Sequence, residues 1–123
     1  EPELAQRFVE QTQVDSLAVS VGTAHGLAGE IRLDLLRELR AVTHGLPLVL
    51  HGGSGVRPGQ LGEAVGAGIR KLNISSELHA AFAHALDQHA GGSDPRPALR
   101  AARAAVADTA SARIDQLGAA HRA

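Results

Sequence analysis

The chain has 123 residues, 44% of them hydrophobic and 20% charged, with a formal net charge of −1. That is enough chain for one modest core and too apolar for a disordered segment, and its mixed, near-neutral charge excludes nucleic acid and anionic membrane as main partners. No apolar run reaches the roughly 20 residues that cross a bilayer, and without cysteine a metal site must use His, Asp or Glu.

The opening "EPELAQRFVEQT" sets Leu4, Phe8 and Val9 at helical spacing, with Pro2 suited to a first turn. It shows no signal-peptide pattern, so a cytoplasmic protein is expected; with no methionine anywhere, a piece of a longer chain is expected too. "DSLAVSVG" reads as a short buried strand closed by Gly22. "LDLLRELRAVTH" follows as a helix with Asp34 as N-cap and Leu35, Leu36, Leu39 and Val42 on one face. "LPLVLH" reads as a second strand, "RPGQLGEAVGAGI" as a glycine-loosened helix from near Pro58, and "RKLNI" as a third strand. "SSELHAAFAHALDQH" is a helix, "AGGSDPRP" a loop, and Asp94-Pro95 an N-cap with proline at the first helical position. The last helix carries Leu99, Ala102, Val106, Ala110, Ile114 and Leu117 and stops at Gly118.

Apolar strands alternating with helices imply parallel strands, because a parallel crossover needs a helix between its strands. An eight-fold βα barrel needs about 250 residues, so this length supplies less than half of one.

All three strands run into polar, small-residue stretches: "GTAHG", "HGGSG" and "NISSE". In parallel α/β folds such stretches gather on one face, where ligands bind. His51 ends its strand either as a metal ligand or as a cap bonded to backbone, and His25 poses the same choice. Two histidines underspecify a zinc site, which takes three protein ligands. Gly52, Gly53 and Gly55 bare backbone N–H groups to an anion, and Ser54 adds a hydroxyl; the bland reading is an ordinary glycine turn. Lys71, the only lysine, shares strand parity with Asn73; a Schiff-base role competes there with a structural charge. The remaining histidines, His44, His79, His84, His89 and His121, carry no apparent role.

Taken together, "VDSLAVSVGTAHG", "LVLHGGSG", "KLNISSEL" and the closing "DPRPALRAARAAV" resemble the class II, metal-dependent fructose-bisphosphate and tagatose-bisphosphate aldolases. The resemblance implies the C-terminal part of a (β/α)8 TIM barrel, about three βα units, plus a C-terminal helix. Residues 1–90 would form units 6–8 preceded by one helix, and 91–123 a loop and helical extension. It implies reversible aldol cleavage of a ketose 1,6-bisphosphate to dihydroxyacetone phosphate and glyceraldehyde 3-phosphate, with zinc as Lewis acid toward the ketone oxygen and enediolate. By resemblance His25 and His51 match two of three zinc histidines, while Gly26, Gly52, Ser54, Asn73 and Ser76 match positions that hold the phosphate and hydroxyls. A homo-oligomeric full-length protein is expected.

The family's third zinc histidine and its acid/base aspartate come as an adjacent Asp-His pair, and no such pair occurs in this sequence. The chain alone is therefore expected to be inactive. Two alternatives stand beside a catalytic part: a non-catalytic sugar-phosphate-binding remnant or partial subunit needing a complementary half, and a metal-free phosphate-binding barrel using Lys71 covalently.

Overall fold

A computed structural model describes residues 1–22 and 29–120. They form two compact units, Glu1–Ile74 and Ser75–Ala123.

The first unit runs α1 (Pro2–Thr12), β1 (Leu17–Val19), α2 (Leu33–Val42), β2 (Leu48–Leu50), a 3-10 turn (Gly53–Gly55), α3 (Pro58–Ala67) and β3 (Ile69–Leu72). The strands form one parallel sheet in the order β1-β2-β3. Leu17 pairs with Leu48 and Leu48 with Ile69; Val19 pairs with Leu50 and Leu50 with Leu72. Every residue of β2 is buried, as expected of a central parallel strand. The core joins Leu48, Leu50 and Ile69 to Leu36 and Leu39 of α2 and to Leu61 and Ala64 of α3. Burying each large side chain there stabilises the fold by about 1.5–3 kcal/mol.

Between Leu48 and Val49 the β2–β3 register shifts, so Val49 faces Lys71 and Arg70 is the extra residue. Arg70 Nη1 turns back to donate to the Val65 carbonyl at 2.9 Å. This bulge puts exposed Lys71 in one row with Val49 and Ala18.

Two expected helix starts move. α2 begins at Leu33 with Arg32 as N-cap, because Arg32 N–H already donates to the Val21 carbonyl at 2.9 Å and pins the entry. Asp34 instead sits in the first turn, where its charge favours the positive helix end. At its other end α2 closes in a Schellman motif: Gly45 N–H donates to Arg40 C=O at 2.8 Å and His44 N–H to Ala41 C=O at 3.1 Å. The left-handed position of that motif is His44, at φ 54°.

The second unit contains α4 (Ser76–His89) and α5 (Arg96–Gln116), packed on each other. Arg113 grips Glu77 through Nε–Oε1 at 2.9 Å and Nη2–Oε2 at 2.6 Å, with both side chains largely buried. Pro95, not Asp94, is the N-cap of α5. Asp94 Oδ1 still accepts from Arg96 N–H at 3.0 Å, and the carboxylate also takes the Arg96 guanidinium. Those bonds hold the Asp94 carboxyl below its ordinary range and push Arg96 up. Of the expected apolar line on α5, Ala102 is buried and Val106, Ala110 and Leu117 are half-buried, whereas Leu99 and Ile114 are 48% and 45% exposed; Ala98, outside that line, is buried. At Gly118, φ 63°, the helix ends as expected, with Gly118 N–H on Asp115 C=O and Ala119 N–H on Ile114 C=O.

Candidate functional site

β2 stops at Leu50, and the next residue, His51, emerges exposed on the strand's carboxyl end. Gly52 then takes φ 69°, ψ 25°, a left-handed conformation that glycine adopts without steric cost. Gly53, Ser54 and Gly55 form the 3-10 turn, and Val56, 2% exposed, anchors its far end in the core.

The ends of β2 and β3 are tied together beneath this turn. Asn73 N–H donates to the Leu50 carbonyl at 3.0 Å, and Gly53 N–H to the Asn73 carbonyl at 3.4 Å. A Cβ on Gly53 would lie 2.8 Å from Leu72 Cγ and 3.1 Å from the Asn73 oxygen. Only a bare backbone fits there. The turn is also held to the segment entering α2: Arg57 Nη2 donates to Glu30 Oε1 at 2.8 Å, and Gln60 Nε2 reaches the same oxygen at 3.4 Å.

His51, Gly52 and Ser54 thus share one turn, and Asn73 meets it through its backbone. Ser76 opens α4 in the second unit. His25 and Gly26 lie outside the described residues. Imidazole nitrogen suits zinc, but the number of donors does not: among the described residues no three His, Asp or Glu side chains are grouped to hold a metal. The described part of the site therefore does not amount to a metal centre, and the N–H groups expected to face an anion are largely engaged: those of Gly53 and Gly55 donate to the carbonyls of Asn73 and Gly52, so what the strand end presents is the exposed His51 beside a tightly bonded small-residue turn. The Glu30–Arg57 link escaped the sequence reading, since its partners stand 27 residues apart and neither belongs to a local pattern.

A sequence model of the family described as fructose-bisphosphate aldolase class-II matches residues 1–122. The chain belongs to the class II fructose-bisphosphate aldolase family.

Solved structures agree on the fold. The chain matches the YdjI aldolase from Escherichia coli K12 at 32% identity and TM-score 0.90, over 100% of its own length and 46% of that chain. It also matches a putative fructose-1,6-bisphosphate aldolase from Coccidioides immitis at 21% identity and TM-score 0.80, over 98% of its length and 44% of that chain. For fructose-bisphosphate aldolase from Campylobacter jejuni the values are 21% and 0.79, over 97% and 44%. The chain spans under half the length of these relatives, and its α/β architecture is that of part of a TIM-barrel aldolase.

Proposed function

We propose that this chain carries the C-terminal part of a ketose-bisphosphate aldolase site, acting on fructose- or tagatose-1,6-bisphosphate. The supporting observation is the His51-to-Val56 turn: a histidine at a strand end followed by a left-handed glycine and a sterically locked one. In this reading His25 and His51 contribute imidazoles to a zinc centre. Gly26, Gly52, Ser54, Asn73 and Ser76 hold the phosphate and hydroxyls of dihydroxyacetone phosphate. Holding the phosphate away from the reacting carbons fixes their orientation, which is where such a cradle contributes to rate. The acid/base aspartate and a third zinc ligand are supplied from outside these residues, so the 123 residues alone do not turn over.

A second reading, a sugar-phosphate-binding partial subunit that needs a complementary half, is favoured by one observation. β1 ends the sheet, and beside it a groove of about 330 Å³ between α1, β1 and α2 is lined by Leu4, Phe8, Leu17, Leu35 and Leu39.

Zinc titration of the chain, alongside H25A and H51A variants and an aldol-cleavage assay, tests the first reading. Expected are weak zinc binding lost in either variant and no cleavage by the chain alone. Zinc binding that survives both substitutions would overturn the ligand assignment, and cleavage by the chain alone would overturn the missing-base argument.

A further inference from the structure

Away from the His51 turn, at the C-terminal ends of α2 and α3, lies an open pocket of about 520 Å³ walled by Arg37, Arg40, His44, Gly45, Gly66 and Ala67. Positions 37, 40 and 44 share one face of α2 and its end, so their side chains converge. No carboxylate lines the pocket. Among the described residues neither Arg37 nor Arg40 has a side-chain ion pair or hydrogen bond. The Arg40 stem lies against Gly68, where a Cβ would come 2.7 Å from Arg40 Cδ.

Two features shape the pocket. His44 occupies the left-handed Schellman position, where glycine is usual and a side chain costs free energy. Gly66, in the last turn of α3, leaves that wall open, since a Cβ there would meet nothing within 4 Å, as at Gly59 and Gly62 of the same helix. One places an imidazole in the pocket, and the other keeps its wall clear. The negative end of α2 opposes an anion, but the carbonyls of Arg40 and Ala41 are already taken by Gly45 and His44 N–H groups.

We propose that Arg37, Arg40 and His44 form a second anion site, for the phosphate group of a small phosphorylated metabolite. Guanidinium forks match phosphate oxygens bidentately, and the volume exceeds what one phosphate fills.

The test is a pyrophosphate titration of the 123-residue chain followed by calorimetry and amide NMR. Expected are shifts at Gly45, Gly66 and Ala67, and a Kd raised about tenfold or more in R37A and R40A, the loss of a charge-assisted hydrogen bond. G66E, which keeps the helix and adds a carboxylate, should lose binding, with circular dichroism verifying the fold. R103A, in the second unit, should bind as the parent does. The proposal is overturned if R37A and R40A bind like the parent, if R103A weakens binding equally, or if shifts are confined to Gly52–Gly55. That last result would report on the His51 turn alone and leave the aldolase reading intact.

Discussion

Gly53 and Leu72 are packed so closely that the glycine has no room for a side chain: a Cβ would stand 2.8 Å from Leu72 Cγ. The contact seats the glycine turn directly on the end of the third strand. It makes the backbone path after His51 a consequence of β2–β3 packing.

Replacing Gly53 with alanine should therefore destabilise the protein by about 1–3 kcal/mol, the usual cost of overpacking a filled site. Urea unfolding read at equilibrium measures it. A G53A variant as stable as the parent would mean that the turn is not seated on Leu72.

His44 offers the opposite case. Its φ of 54° is unfavourable for any residue with a Cβ, so H44G should raise stability by up to about 1 kcal/mol. The same variant should bind pyrophosphate less well, since it removes one wall of the cationic pocket. A joint loss of stability and binding would show that His44 holds the helix end through contacts of its own.

Much of this architecture was legible in the sequence because the patterns are local. Pro2 and Pro58 mark helix starts, Gly118 marks a stop, and the all-apolar "LVL" marks a central strand. The misplacements share a physical origin in bonds that no window reveals. Arg32 N–H on Val21 C=O moves the start of α2, and the bulge at Arg70 sets which row Lys71 joins. On α5 the fully buried positions are Ala98 and Ala102, and of these only Ala102 lay on the expected line, while Leu99 of that line is exposed. Within the site, His51 and the glycines could be picked out by residue type, whereas the seating of Gly53 on Leu72 and the Glu30–Arg57 bond depend on tertiary contact.

The Glu77–Arg113 pair is nearly enclosed, with side-chain exposures of 17% and 13%. E77L or R113M alone should cost about 3–5 kcal/mol, since each removes one half of a nearly enclosed ion pair and leaves the other charge buried. The double variant E77L/R113M should recover most of that loss. A double-mutant cycle by chemical denaturation checks it, and additive losses would show the pair to be uncoupled.

Asp94 should titrate below the ordinary aspartate value of about 3.9, because the Arg96 side chain and amide stabilise its charged form. A depressed folded-state value means that its contribution is present above the unfolded pKa and disappears as pH falls through the folded one. Carbon-detected NMR titration of the Asp94 carboxyl should show this midpoint return toward the ordinary value in R96A. An unchanged midpoint would assign the shift to something other than the Arg96 side chain.

The most direct measurement is amide NMR of the chain titrated with dihydroxyacetone phosphate. Saturable shifts at Gly52, Gly53, Gly55 and Asn73, lost in S54A or weakened in G53A, are expected if the turn after His51 is a phosphate cradle. Binding that leaves those four amides unmoved, or no binding at concentrations that saturate a phosphate site, would contradict it.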